Sequence, residues 1–203
     1  MDVPAPAPGQ RVLGVTVPVP EPWGSRVRLV RAEAGDPLAR TIGPHITILP
    51  PTLVDQEDLE AVEAHLDAVA SRTLPFVVEL DGVDGFRPVS PVVYLAVARG
   101  SEDLDALQRA VRDEEGPLAR ELRFRFHPHV TLAHDVAPEA LDAAAASGEG
   151  ITAGFVADRL ELRALAEDGS WDLLRTVPLS GPVPGPDAAP ALAAAGDDGP
   201  PRT

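Results

Sequence analysis

The tetrad Pro44-His45-Ile46-Thr47 recurs as Pro128-His129-Val130-Thr131, and an aliphatic residue follows each copy, Ile48 or Leu132. In an extended strand, side chains at i and i+2 share a face. His45 and Thr47 therefore stand together while Ile46 and Ile48 point the other way. His129 and Thr131 repeat the arrangement with Val130 and Leu132 behind them. Each copy offers one imidazole and one hydroxyl on backbone anchored by apolar packing, the rigid support a catalytic group needs. Two imidazoles across a shared cleft suit an in-line displacement at phosphorus. A neutral ring takes the proton from the attacking oxygen, and a protonated ring gives one to the leaving oxygen. With an unperturbed pKa of about 6.5, histidine supplies both forms near neutrality. The threonine hydroxyls can donate to the non-bridging phosphate oxygens. This chemistry requires no metal and no cofactor. A lone His-x-Thr usually marks a half-exposed sheet position; two copies with matching flanks point to function.

The residues around the second copy extend the reading. Leu122-Arg123-Phe124-Arg125-Phe126-His127 alternates strictly, so a regular strand would set Arg123, Arg125 and His127 on the face of His129 and Thr131. His134 falls on the opposite parity, at the boundary of the strand. His65, between Ala64 and Leu66 with Glu63 and Asp67 close by, reads as a surface histidine. A competing use of His127 and His129 is to bite a metal from the strand, although no third ligand is named by the spacing.

These motifs need elements to hold them. Arg11–Val17 and the stretch centred on His45–Leu49 read as β-branched-rich strands. A helix capped by Asp55 follows, with Leu59, Val62, Leu66 and Val69 along one face. Strands at Phe76–Leu80 and Val92–Val97 come next, then a helix over Ser101–Arg112. Leu122–Leu132 is strand-like, Ala137–Ala146 helical, and strands at Phe155–Leu165 and Trp171–Val177 close on an Asp168-Gly169 hairpin. The distances from each motif histidine to the two following strand segments differ between the halves by the same five residues, which reads as a duplicated strand–helix–strand–strand unit. The folded body spans 10–180. Residues 1–9 read as a flexible N-terminus. Residues 181–203, rich in Pro, Ala, Gly and Asp, read as a disordered tail that cannot bury enough surface to offset its ordering entropy.

Composition narrows the chemistry further. The 203 residues carry 32 acidic and 17 basic side chains, a formal net charge of −15, which argues against a broad basic face for duplex nucleic acid. A small or end-on anionic substrate needs only a local positive pocket. There is no cysteine, hence no disulfide, thiolate zinc site or cysteine nucleophile. All 17 basic residues are arginine, so neither a Schiff-base lysine nor a P-loop is available. No stretch reaches the ~18 apolar residues of a membrane span, and the first residues lack the cationic and apolar regions of a signal peptide. The expectation is a cytoplasmic monomer without a membrane partner.

At Pro44-His45-Ile46-Thr47-Ile48, and at Phe126-His127-Pro128-His129-Val130-Thr131-Leu132-Ala133, the chain resembles the two-histidine phosphoesterase superfamily. The resemblance is specifically to bacterial 2'-5' RNA ligase-like proteins that act as RNA 2',3'-cyclic phosphodiesterases. It implies an α+β fold, bilobal and duplicated, with two mainly antiparallel sheets around a central cleft and helices outside. It implies opening of a 2',3'-cyclic phosphate, on an RNA 3' end or a small nucleotide, to a 2'-phosphomonoester, with reversible 2'-5' joining of RNA ends in some members. By position, His45 and His129 become the acid/base pair and Thr47 and Thr131 the phosphate binders. Analogy gives His129 the attacking water and His45 the leaving oxygen. Many relatives carry arginine where His134 stands, which makes His134 a candidate substrate contact. The alternative is a non-catalytic member that binds nucleotides or a protein partner through the same cleft.

Overall fold

The structure, a computed structural model, describes residues 3–121 and 124–182. Its strands are β1 (Gln10–Pro18), β2 (His45–Asp55), β3 (Phe76–Gly85), β4 (Val92–Arg99), β5 (His129–His134), β6 (Ala153–Ala157), β7 (Arg159–Leu165) and β8 (Trp171–Pro178). Its α-helices are α1 (Trp23–Glu33), α2 (Leu59–Ala70), α3 (Ser101–Val111) and α4 (Pro138–Gly148). The apolar stripes on the helices are short and regular: Val62, Leu66 and Val69 on α2, and Leu104, Leu107 and Val111 on α3, all buried. Those stripes pack against the inward-facing residues of the strands, among them Leu13, Ile46, Leu95, Val130 and Leu162, in one continuous core.

The expected pair of sheets is one curled antiparallel sheet, in the order β6-β3-β4-β5-β2-β1-β7-β8. Two four-stranded halves meet at the β5/β2 seam, where Ile46↔Val130 is the single register pair. That one bridge joins the halves, and the sparse pairing on either side of it lets them splay. Outward from the seam the strands run β5-β4-β3-β6 on one side and β2-β1-β7-β8 on the other.

This order reframes the repeat. Val78 in β3 pairs with Phe155 in β6, so the two strands aligned as equivalents from the sequence are neighbours in one half. The unit that repeats about the seam is strand–helix–strand–helix, β1-α1-β2-α2 and β4-α3-β5-α4, with the motif on its second strand. Its helices cross over: α1 packs on β5 and α4, whereas α3 packs on β2 and α2. Each motif strand is thus backed by a helix from the other repeat, which ties the halves into one folding unit.

Three local readings change. Helix α2 begins at Leu59 after a short 3-10 turn at Gln56–Asp58, and Asp55 instead ends β2, accepting a hydrogen bond from Gln10 Nε2 at 2.9 Å. His65 is half-buried, and its Nε2 donates to the Val111 carbonyl at the end of α3, 3.0 Å away. The strand expected from Leu122 begins only at His129. Leu122 and Arg123 lie outside the described residues, and Arg125 and His127 sit exposed in the irregular approach, where Pro128 cannot donate to a ladder. At the other end, Ser180 and Gly181 donate to the carbonyls of Ala70 and Thr73, so the chain is docked at the point where the tail was expected to begin. The rest of that tail, from 183, lies outside the described residues, as do residues 1 and 2. Among the described residues no helix is long and apolar enough to cross a membrane.

Candidate active site

The Ile46↔Val130 pair decides how the two motifs meet. Continuing its antiparallel register by one residue each way sets His45 across from Thr131 and Thr47 across from His129. All four side chains occupy the face opposite the buried Ile46, Ile48, Val130 and Leu132, and all four are half-buried. In regular pairing, such diagonal neighbours lie about 7–8 Å apart, with their Cβ atoms somewhat closer. The two imidazoles are therefore diagonal neighbours on one face of the seam.

Each ring is fixed by the same contact. His45 Nδ1 lies 2.7 Å from the Gly43 carbonyl, and His129 Nδ1 lies 2.7 Å from the His127 carbonyl, two residues upstream in both cases. A carbonyl only accepts, so each Nδ1 carries the proton and donates it. Nε2 is left as the nitrogen that can take or give a proton.

Both motif strands also bulge at the same place. The register of β1 on β2 slips between Val15↔Leu49 and Thr16↔Thr47, and that of β4 on β5 slips between Val93↔Ala133 and Tyr94↔Thr131. Each slip inserts one extra residue after the motif threonine, Ile48 or Leu132, and a bulge resets parity. His45–Pro50 and His129–His134 consequently show the same alternation of half-buried and buried positions. The bulge returns His134 to the face of His129 and Thr131, although uninterrupted alternation would have turned it away. Its Nε2 lies 3.1 Å from Asp135 Oδ2.

The electrostatics favour neutral rings. Burial pushes the pKa of His45 down to about 4 despite the Gly43 hydrogen bond, and the positive charges of Arg31, Arg163 and His129 add to the effect. The ring keeps an exposed edge, yet the atoms packed round it strip most of its hydration. His129 is lowered by burial too, with the neighbouring His127 acting in the same direction. His134 is lowered by burial and by Arg31, against the opposing pull of Asp135 and Asp36. Because a charge on His129 disfavours one on His45, the singly protonated pair is easier to form than the doubly protonated one.

Arg31 belongs to a buried ion pair that sequence reasoning missed. Its Nε donates to Asp36 Oδ2 at 3.0 Å, while Asp36 Oδ1 accepts from the Leu38 backbone N–H and so starts the 3-10 turn leading into β2. The two walls flanking the histidines were missed as well. Beside His45 lies a cavity bordered by Arg28, Glu161, Arg163, Gly43 and Pro44, where Nε and Nη2 of Arg163 both donate to Glu161 Oε2. Beside His129 stands an aromatic group. The Phe86 ring meets the His129 ring edge-on, with centroids 5.0 Å apart, and lies 4.5 Å from Tyr94. No sequence signal links Phe86 to His129, because β3 and β4 reach the motif only through sheet pairing. Among the described residues no three His, Asp or Glu side chains converge as metal ligands would.

Residues 18–169 match the sequence profile of the 2'-5' RNA ligase superfamily. The chain belongs to this superfamily. The two-histidine phosphoesterase resemblance carried by Pro44–Ile48 and Phe126–Ala133 therefore holds for the family as a whole. A Bacillus cytotoxicus protein that bears the name phosphoesterase is 34% identical over 98 residues, covering 48% of this chain and 55% of its own length. A similarly named Bacillus mycoides protein is 32% identical over 101 residues, covering 50% of this chain and 57% of its own. The chain thus spans a little over half the length of the curated relatives it matches. Among solved structures, E. coli LigT complexed with 3'-AMP superposes with a TM-score of 0.62 at 20% identity, covering 84% of this superfamily member and 99% of LigT. LigT complexed with NADP+ gives 0.61 at 23% identity over the same 84% and 99%. At those identities the likeness concerns the fold.

Proposed function

We propose that the protein is a metal-independent phosphodiesterase that opens 2',3'-cyclic phosphates, on an RNA 3' end or a nucleotide, to 2'-phosphomonoesters. Reversible 2'-5' joining of RNA ends is the same chemistry with a ribose hydroxyl in place of water. One neutral imidazole takes a proton from water at Nε2 as the oxygen attacks phosphorus. The bond to O3' breaks, and the second, protonated imidazole gives that oxygen a proton. The hydroxyls of Thr47 and Thr131 donate to the non-bridging oxygens, whose charge grows as the fifth bond forms. His134, returned to the cleft face by the bulge, is a further contact for the phosphate.

The matched Nδ1–carbonyl contacts carry this reading. They commit both rings to one tautomer and leave both Nε2 atoms for the reaction, as a two-imidazole mechanism needs. A bound phosphodiester anion supplies the negative charge that restores a proton to one of two otherwise neutral rings. The nucleotide bound to LigT supports a nucleotide-sized ligand, and the net charge of −15 supports an end-on or small substrate over a long duplex. The test is incubation with nucleoside 2',3'-cyclic phosphates in excess chelator, with the product isomer identified by chromatography. A 2'-phosphomonoester is expected; a 3'-phosphomonoester, or dependence on added metal, would overturn the reading.

A further inference from the structure

The threonine of the first motif sits in a rung of polar side chains that crosses the sheet. Thr47 faces Thr16 of β1, and Thr16 in turn faces Glu161 of β7. On its other side, the register across the seam sets Thr47 opposite His129. Residues directly opposite one another share a face, so all four project on the cleft side, while Val15, Val17, Ile46 and Leu162 around them enter the core. Thr16 is only 4% exposed, and its hydroxyl has no hydrogen-bond partner among the described residues.

The other repeat has a hydroxyl at the same place and spends it elsewhere. Tyr94 of β4 faces Thr131 as Thr16 faces Thr47, each pair standing directly after the register slip of its bulge. Tyr94 is buried too, but its longer side chain carries Oη to His127 Nε2, 3.1 Å away. Thr16 is too short to reach past its two cross-strand neighbours. Of these, Glu161 is turned toward Arg163, whose Nε and Nη2 donate to Oε2 at 3.1 and 2.6 Å. Thr47 is the neighbour left to take the Thr16 proton. Directly opposite residues have Cβ atoms about 4.5–5.5 Å apart, a spacing at which paired threonines hydrogen-bond across strands.

A hydroxyl has one proton and two lone pairs, so Thr47 can donate to a phosphate oxygen and accept from Thr16 at once. When the phosphate takes the Thr47 proton, the Thr47 oxygen gains negative charge and becomes the better acceptor. A turn about the Thr16 Cα–Cβ bond then aims its proton at that oxygen. Resting on the reading of Thr47 as a phosphate donor, we infer that Thr16 is a positioning residue, whose hydroxyl donates to Thr47 Oγ1 and commits the Thr47 proton to the phosphate. Burying a hydroxyl without a partner is costly, and this cost is relieved as Thr47 gives its proton away. Thr16 thereby favours the phosphate-bound protein over the free one.

The experiment is a double-mutant cycle on the full chain, with Thr16→Val, Thr47→Val and the double variant, and Thr16→Ser beside them. Thr16→Val is expected to lower kcat/KM on adenosine 2',3'-cyclic phosphate about three- to tenfold, the worth of one hydrogen bond, while Thr16→Ser stays within about twofold of the wild type. In the Thr47→Val background the same valine should cost nothing further. The urea midpoint of Thr16→Val should hold or rise, because a buried hydroxyl without a partner is exchanged for a methyl group. Wild-type kinetics in Thr16→Val, an equal loss in both backgrounds, or a lowered midpoint would each overturn the inference. If the wild type opens no cyclic phosphate, the phosphodiesterase reading fails, and the cycle is read instead on the affinity for adenosine 2'-monophosphate by calorimetry. A loss that vanishes in the Thr47→Val background would then uphold the role of Thr16; unchanged affinity, an equal loss in both backgrounds, or no binding at all would overturn it.

Discussion

Ile46 and Val130 face each other at the centre of the sheet, and each is the middle residue of its own motif. The seam between the halves is therefore also the point about which the site repeats. Each histidine lies next to the other motif's threonine, so the candidate site is shared between the repeats and neither contains it alone.

Removing either ring should abolish one proton transfer and leave the other. His45→Ala and His129→Ala are each expected to slow opening of a 2',3'-cyclic phosphate by ~10²–10⁴. Thr47→Val and Thr131→Val keep the shape, lose a donor and should slow turnover with little change in the urea midpoint. Steady-state rates alongside urea unfolding check both; near-wild-type turnover in either histidine variant contradicts the mechanism.

The lowered histidines predict an acid-shifted pH profile. In the free protein His45 titrates near 4 and His129 below its ordinary value, and the proposed mechanism needs one ring charged and one neutral. That population peaks between the two macroscopic pKa values, both under about 6.5. A plot of kcat/KM against pH, which reports the free protein, should therefore crest below 6.5. A crest above 7 would contradict the desolvated geometry.

Folding stability should show the same groups with the sign reversed. Between pH 6.5 and 4 the unfolded chain binds a proton at position 45 that the folded chain refuses, so stability falls as pH drops through that window. Allowing for the ring's exposed edge, the loss from His45 is on the order of 2 kcal/mol, and the lowered His129 and His134 add to it. Urea unfolding at pH 7.5 and pH 4.5 measures the drop, which His45→Gln should reduce.

Gly148, at the end of α4, packs against β5. A Cβ placed there would collide with Leu132 Cδ1, the side chain of the bulge residue, and would sit 3.1 Å from Val83. Leu132 is fully buried and has no room to retreat. Gly148→Ala should destabilise by about 1–3 kcal/mol, even though alanine is favoured in helices by about 1 kcal/mol. Thermal unfolding gives the number, and an unchanged or higher midpoint would count against tight packing at the bulge.

The motif pair was legible because strand parity is local. Once His45-Ile46-Thr47 is extended, alternation alone assigns the faces, and the structure has His45, Thr47, His129 and Thr131 on one side. The α2 stripe and the Asp168-Gly169 turn are local in the same way, and Gly169 takes the positive φ of 83° that the turn demands. His134 shows where locality ends. Its face depends on a bulge that only the register against β4 reveals. The repeat was detectable but framed one strand late, since equal spacing cannot tell a symmetry mate from a neighbour in the same half.

The sequence by itself determined the chemistry on offer: two imidazoles, two hydroxyls, no thiol and no lysine, each motif held by its own apolar alternation. Only the tertiary structure decided that the two motifs share one face of one sheet, that an ionic wall stands beside His45 and an aromatic one beside His129, and that burial drives the rings toward neutrality. The division has a physical cause. Residue type and parity act over a few bonds, whereas desolvation and cross-strand neighbours arise only when segments distant in the chain are brought into contact.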